Sequence, residues 1–114
     1  MNVKITANRE AIKLKINKAK GKALTITTNE ALKDCNYYCK EDQEGLIDSS
    51  IVASEPEKGI LRWDTVYAKR QYYLDATNTD KNSHASKMWA HKARAKHGEE
   101  WKAKYQKAFK EDLK

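Results

Sequence analysis

The clearest pattern of apolar and polar positions is a ladder in the first third of the chain. Small or apolar residues recur there at alternating steps of four and three, as expected where one face of a helix is buried. The pattern predicts one long helix from about Asn17 to Lys40. The ladder consists of Ile16, Ala19, Ala23, Leu24, Thr28, Ala31, Cys35 and Tyr38.

Before this helix, Val3–Thr6 alternates apolar and polar side chains, which is typical of a short strand. Asn8 is a residue type that favours a helix start, and a looser turn is expected between it and the helix. Gly21 and the β-branched run Thr25–Thr28 weaken the helix prediction locally. A two-stranded alternative around "ALTITT" therefore stays open.

The middle of the chain predicts a β-hairpin over residues 49–65. Its two extended runs are "LIDSSIVAS" and the alternating "ILRWDT", and the turn between them, Glu55–Gly59, contains the only proline. The next segment, "VYAKRQYYL", favours a short helical turn because Ala68 to Gln71 are poor strand residues. The predicted fold is α+β, with the long N-terminal helix packed on a small antiparallel sheet.

The last third of the chain predicts a polar loop followed by helix. Asp75–Ser86 is rich in turn-forming residues. After it, two apolar stripes are separated by Gly98, which predicts either two helices or one helix bent at that glycine. The stripes are Met88, Trp89 and Ala93, then Trp101, Tyr105, Ala108 and Phe109 with Leu113 beyond.

Composition indicates a single domain, residues 1–114, with a thin core. Hydrophobic residues make up 39% of the chain and charged residues 34%, so six tyrosines and three tryptophans supply much of the apolar area. A chain of this kind is typical of a subunit that completes its burial against neighbours. The formal charge of +7 is uneven, because residues 81–114 hold 10 basic and 4 acidic side chains. This segment is either a solvated lysine-rich face or a surface for an anionic partner.

Candidate chemistry is sparse, and we expect no catalytic, cofactor or metal site. No phosphate loop, metalloprotease motif or nucleophile elbow is present in the sequence. Cys35 and Cys39 are expected to be buried free thiols of a reducing compartment. The acidic residues around the first predicted loop fit no calcium-binding spacing, and no run of about 20 apolar residues could span a membrane. These acidic residues are Asp34, Glu41, Asp42, Glu44 and Asp48.

The aromatic and basic segment Gly59–Tyr73 has three possible uses: core, nucleic-acid platform or subunit seam. Leu61 and Trp63 alternate with Arg62 and Asp64, which places the apolar pair in the core. Aromatic side chains with polar tips are favoured at interfaces, although burial within the subunit stays an alternative. A small basic nucleic-acid-binding protein, with sequence-specific binding, is the second hypothesis for the whole chain. The predicted interface residues are Tyr67, Arg70, Tyr72, Tyr73, Trp89 and Trp101.

Several of these segments together resemble the minor capsid proteins of tailed phages that infect Gram-positive hosts. The resemblance covers about residues 17–110 and consists of a turn of the G-x-L-x-x-S type, which reads G-L-I-D-S here, a W-D-T-P-Y-A-like stretch, a paired YY and a final helix with W-x-x-K-A. Val66 stands where a proline is common in that family. The matching residues are Gly45, Leu46, Ser49, Trp63, Asp64, Thr65, Tyr67, Ala68, Tyr72, Tyr73, Trp89, Lys92, Ala93, Lys96 and Trp101.

The resemblance implies a structural virion protein of the head–tail connector, that is, the neck or tail-completion region, without enzymatic activity. It implies a homo-oligomeric ring, a hexamer or dodecamer, through which phage DNA passes without sequence-specific contacts. Its partners would be portal, adaptor or stopper proteins on one side and tail terminator or tail tube proteins on the other. The protein would be made in the cytoplasm of the bacterial host and would not contact a membrane.

Overall fold

The computed structural model describes residues 2–41, 45–77 and 80–114, with side chains from Arg9 onward. These residues form four α-helices and a single 3-10 turn. The helices are α1 (Asn2–Tyr37), α2 (Leu46–Ala53), α3 (Ala68–Tyr73) and α4 (Trp89–Leu113), and the 3-10 turn is Pro56–Lys58.

The long helices α1 and α4 pack side by side in antiparallel directions. Lys92 near the start of α4 lies over the ring of Tyr38, just beyond the end of α1, with Nζ 5.0 Å from the ring centre. Near the other end of α4, Asp112 pairs with Lys22 of α1 at 3.3 Å. The molecule is therefore elongated, with principal extents of 69 × 25 × 17 Å, and α1 continues past the end of α4.

The core lies where the C-terminal end of α1 meets α2, α3 and the start of α4. Cys35, Cys39, Leu46, Trp89 and Ala93 are each at most 3% exposed. Leu61, Trp63 and Trp101 are partly buried and pack against this cluster. The prediction that Leu61 and Trp63 join the core is confirmed, although no sheet carries them.

The predicted α+β fold and its hairpin over residues 49–65 are wrong. The described residues contain no strand, and "LIDSSIVA" forms α2 instead of an extended run. Only one residue pair of the hairpin exists, an isolated antiparallel bridge between Glu55 and Ile60. Its two hydrogen bonds run from Glu55 N–H to the Ile60 carbonyl at 2.8 Å and from Ile60 N–H to the Glu55 carbonyl at 3.1 Å.

Serine side chains of α2 and its C-cap replace the missing strand. The backbone N–H of Arg62 donates to Ser54 Oγ at 3.0 Å, and that of Asp64 donates to Ser49 Oγ at 3.2 Å. Alternate N–H groups of the run at 61–65 are thus satisfied without a paired strand, which removes the need for a sheet. The Trp63 indole N–H also donates to Asn36 Oδ1 of α1 at 2.9 Å.

The predictions for the N-terminal third are partly wrong. Val3–Thr6 lies inside α1 rather than in a strand, and Asn8 does not start the helix. The run Thr25–Thr28 is helical although only Thr28 is buried and Ile26 is 38% exposed. Thr25 Oγ1 returns a hydrogen bond of 3.0 Å to the Gly21 carbonyl, an arrangement that helices tolerate. The ladder itself is confirmed, since Ala19 and Ala23 are fully buried.

The remaining elements agree with the sequence. The helical turn after Thr65 is α3. α4 runs through Gly98 as one helix, which decides between the two alternatives for the C-terminal segment. The described part of the polar segment 75–86 contains neither helix nor strand.

Candidate assembly surfaces

An aromatic cluster joins α3, α4 and the extended run at 61–65. The ring of Trp89 is 1% exposed and lies edge-on to Trp63, with centroids 5.8 Å apart. It also lies edge-on to Tyr72 at 4.7 Å. The Tyr72 hydroxyl accepts a hydrogen bond of 3.1 Å from the backbone N–H of His91. Burial raises the pKa of Tyr72. Trp89 and Tyr72 therefore pack α3, α4 and the run at 61–65 against one another within the subunit.

A buried cation fixes α3 to the end of α1. Lys40 is only 4% exposed, and its ammonium donates to the carbonyl of Gln71 at 2.7 Å and to that of Leu74. These carbonyls lie at the C-terminal end of α3, where a positive charge is favourable. Burial lowers the pKa of Lys40. The short helix α3 is thereby held in place although it contains only six residues.

The segment before α4 is tied to the end of α1. Asn82 Nδ2 donates to the carbonyls of Tyr37 at 2.9 Å and Cys39 at 2.8 Å. Asp80 Oδ1 accepts the backbone N–H of Glu41 at 3.0 Å. These contacts satisfy C-terminal carbonyls of α1 that have no partner inside the helix. The sequence showed a polar loop here but gave no signal for this capping role.

Lys40 holds α3 on its inner side, and apolar side chains are exposed on and beside this helix. We call this surface the α3 patch. Its members are 90%, 56%, 58% and 44% exposed, and they lie in α3 or within two residues of its ends. The α3 patch consists of Val66, Tyr67, Tyr73 and Leu74 in that order. Arg70 is exposed on the same helix. Large exposed apolar side chains gathered at the ends of one short helix are candidates for an interaction site.

A second apolar surface is a groove between α1 and α2, of about 460 Å³. Ile51 is 65% exposed and Tyr37 49% exposed, and Leu32 and Ile47 are partly buried beside them. Asp48, one turn from Ile51 on α2, is exposed. We call this surface the α1–α2 groove; it is lined by Asn29, Leu32, Lys33, Asn36, Tyr37, Ile47 and Ile51.

The third surface is the part of α1 that extends past α4. We call residues 9–18 the arm. Ile12 is 57% exposed and Leu14 70% exposed. Ile12 and Ile16 continue the stripe of Ala19 and Ala23 by the same steps of four and three. The arm therefore carries the face that α4 covers further along α1, but without α4 beside it.

The six predicted interface residues divide into two groups. Tyr67, Arg70 and Tyr73 are exposed on or beside the α3 patch. The other three, Tyr72, Trp89 and Trp101, make contacts within the chain. The Trp101 indole N–H donates to Asp34 Oδ2 of α1 at 2.6 Å, so α4 docks on α1 of its own subunit. The predicted stripe of Trp101, Tyr105, Ala108 and Phe109 is partly buried.

Sequence analysis missed the α1–α2 groove and the arm. The groove required α2, which was predicted as a strand. A usable signal for α2 was present, because Leu46, Ile47, Ser50 and Ile51 have helical spacing. For the arm, the ladder could be followed back to Ile16, but the sequence did not show where the covering helix ends.

The titratable groups of the interior are structural. Cys35 and Cys39 are buried free thiols, as predicted, and burial raises the pKa of each to about 12. Thiols held in the protonated form are poor nucleophiles and poor metal ligands. Over the described ranges 2–41, 45–77 and 80–114, no group of His, Cys, Asp and Glu could hold a metal ion. Asp42 and Glu44 of the predicted acidic cluster lie outside those ranges.

Searching the same described residues for a membrane-spanning helix finds none that is both long and apolar enough.

An elongated helical chain with three exposed apolar surfaces has the features of an assembly subunit. The comparison with protein families agrees: residues 3–109 match the model of a minor capsid protein family. The match covers nearly the whole chain, and the protein therefore belongs to this family of phage minor capsid proteins. Its membership in a structural capsid family makes it a virion component and indicates a non-enzymatic role. None of the curated proteins and none of the solved structures matches the chain significantly.

Proposed function

We propose that this minor capsid protein is a structural subunit of the head–tail connector of a tailed phage, in the neck or tail-completion region. Copies of the chain would form a ring around the path of the DNA. The portal-side proteins would lie on one side of the ring and the tail-side proteins on the other. The observation that carries the proposal is the number of large apolar side chains left exposed, on the α3 patch, the α1–α2 groove and the arm.

The placement of these surfaces supports a subunit with more than one neighbour. The α3 patch is next to the aromatic cluster, whereas the arm lies at the far end of a molecule 69 Å long. A ring subunit needs two different faces for its neighbours in the ring. A connector subunit needs a further surface for the component above or below. We assign the α3 patch, with Tyr67 and Tyr73, to that further contact.

The experiment is deletion of the gene from the phage that encodes it, followed by electron microscopy of the lysate. We expect DNA-filled heads and complete tails that are not joined, with joining restored by the gene supplied in trans. A Tyr67→Ser, Tyr73→Ser double variant should restore joining poorly, and Lys69→Ala, on the same helix, is the control. Joined particles in the deletion lysate, or a failure of capsid shell assembly, would contradict a connector role.

Binding of nucleic acid is the alternative, and the basic C-terminal third is its support. Part of that charge is occupied within the chain, since Lys104 approaches Glu30 at 3.4 Å and Lys87 approaches Asp75 at 3.3 Å. We therefore expect DNA binding to be weak, independent of sequence and strongly reduced by salt. Titration with duplexes of unrelated sequence at two salt concentrations tests this expectation. Tight binding to one sequence that persists at high salt would favour the alternative.

A further inference from the structure

The arm of α1 exposes a narrow apolar stripe between rows of positive charge. Ile12 and Ile16 are one turn apart on a single face. Residues 9–20 hold five basic side chains and one acidic side chain, and all six are exposed. The basic residues flank the stripe on both sides when placed at 100° per residue. A helix face of this kind fits an apolar groove in an acidic surrounding.

The α1–α2 groove offers that combination. Its apolar lining includes Leu32, Ile47 and Ile51, and Asp48 is exposed on the same helix as Ile51. The described residues 45–64, which include α2, hold four acidic and two basic side chains, and Asp48, Glu57 and Asp64 are exposed. Lys33 also lines the groove and pairs with Glu30 at 3.3 Å, a carboxylate that it shares with Lys104 at 3.4 Å, so one positive charge remains at this edge of the groove.

The arm cannot reach the groove of its own chain. Both belong to α1, and Ile16 and Leu32 are separated by 16 residues of continuous helix, which is about 24 Å along the axis. Folding the arm back would require α1 to break. An arm in the groove therefore has to come from another molecule.

We propose that the arm of one copy docks in the α1–α2 groove of the next copy, with Ile12 and Ile16 against Leu32, Ile47 and Ile51. This inference rests on the proposal that copies of the chain assemble with one another, and it names the surfaces that meet. The arm and the groove are different surfaces, so the contact is head-to-tail. Repetition of a head-to-tail contact gives a closed ring or an open filament.

The contact is expected to be modest in the free protein. A stable interface buries about 800 Å² on each partner, and an arm of ten residues is only about 15 Å long. We expect monomers at micromolar concentration and head-to-tail association as the concentration approaches millimolar. Added salt should weaken the association, because opposite charges surround the stripe and the groove.

The test uses two variants of the full-length chain, Ile12→Gln in the arm and Ile51→Gln in the groove, studied by sedimentation equilibrium. Each variant alone should associate about tenfold more weakly than the wild type or worse. The two variants mixed should form a heterodimer and nothing larger, because the mixture contains one intact arm and one intact groove per pair. Both side chains are more than half exposed, so the variants should fold normally, which circular dichroism checks.

Two matched controls separate the stripe from general surface hydrophobicity. Leu14→Gln changes an exposed apolar residue on the opposite side of the arm, and Val52→Gln changes the residue after Ile51 outside the groove lining. Both controls should associate as the wild type does. The proposal is overturned if the wild type stays monomeric near millimolar concentration, or if the groove variant associates normally. It is also overturned if the arm variant loses binding to DNA or to another virion protein while self-association is unchanged.

The outcome is independent of the test of the connector role. If the mixed variants fail to pair while deletion of the gene leaves heads and tails unjoined, only the docking contact is wrong. If they pair but the deletion lysate contains joined particles, the contact stands and the location in the virion is wrong.

Discussion

The two halves of α1 carry the same pattern of apolar residues and meet different environments. Ala19 and Ala23 are fully buried against α4, whereas Ile12, on the same face, is 57% exposed. The C-terminal half is covered on two sides, since the 3-10 turn Pro56–Lys58 and the start of α4 both approach it. An amphipathic stripe therefore shows which face of a helix is suited to burial, but it does not show whether that face packs against the same molecule or against another one.

The largest expected difference in stability is between the arm and the core that covers the C-terminal end of α1, to which Trp89 of α4 belongs. Trp89→Ala removes a ring that is 1% exposed, and should lower the free energy of unfolding by about 3–5 kcal/mol. Ile12→Ala in the arm should change it by less than about 0.5 kcal/mol. Chemical denaturation followed by circular dichroism measures both. Equal losses for the two variants would mean that the arm is part of the cooperative fold.

Alkaline pH should destabilise the core, where the two buried thiols lie, and should have little effect on the arm. Burial raises the pKa of Cys35 and Cys39 to about 12, whereas the thiols of the unfolded chain ionise near pH 9. A raised folded pKa gives stability that is complete below the unfolded pKa and is lost as the pH rises towards the folded pKa. The free energy of unfolding should therefore fall above about pH 9, by at most about 1.4 kcal/mol per pH unit for each thiol.

Urea denaturation at a series of pH values measures this loss. The double variant Cys35→Ala, Cys39→Ala should be less stable at neutral pH but should show a smaller fall at high pH. Lys40 opposes the trend, because its lowered pKa makes stability rise with pH just below 10.5. A wild-type profile that stays flat above pH 9 and matches the double variant would show that the thiols are not held protonated by the fold.

The turn that covers α1 from the second side depends on one glycine. Gly59 has a φ of 72°, and a Cβ at this position would lie 3.0 Å from Leu24 Cδ1 of α1. Gly59→Ala should therefore lower the free energy of unfolding by about 1–3 kcal/mol. Gly21→Ala is the matched control, since a Cβ there meets no atom within 4 Å. The control should be neutral or slightly stabilising, and an equally small effect at Gly59 would show that the turn adjusts freely.

A small effect of the opposite sign is expected at Gly98 in the middle of α4. A Cβ there would meet only Arg94 Cγ, at an ordinary contact distance of 3.7 Å. Gly98→Ala should raise the free energy of unfolding by about 0.5–1 kcal/mol, because glycine disfavours a helix interior. Thermal unfolding checks the sign. A loss of stability would indicate that α4 needs to bend at this position.

The sequence predicted α4 and the part of α1 after Asn17, because periodicity records burial directly, but it missed the helical residues before Asn17. The ladder through Ala31 and Cys35 and the stripe through Trp101 and Tyr105 both face inward as expected. The hairpin failed for a specific reason: alternation at Ile60–Thr65 indicated an extended run, but not what satisfies its backbone. Ser49 of α2 and its C-cap Ser54 accept hydrogen bonds from the backbone of this run. No local sequence pattern indicates that a side chain, instead of a neighbouring strand, will accept these hydrogen bonds.

The candidate surfaces were predictable to a smaller extent. Tyr67 and Tyr73 were predicted as interface residues from their residue type and are exposed. Trp89 was predicted with them and is buried, because Tyr72 and Trp63 pack around it. The groove is formed by α2 and by the C-terminal part of α1, the helix that also carries the arm. A surface that is formed by tertiary packing can be predicted only when the fold is known. The α1–α2 groove was missed because α2 was predicted to be a strand.

The most direct test of the contrast between the two halves of α1 is amide hydrogen exchange of the full chain at low and high concentration. The backbone amides of residues 31–37 should be protected in both samples, because α1 is packed there. Those of residues 9–18 should exchange rapidly when dilute, since a lone helical segment of this length is marginally stable in water. They should become protected as the protein associates. Arm amides that are as protected as the core in dilute solution, or that stay unprotected in associated protein, would contradict the account.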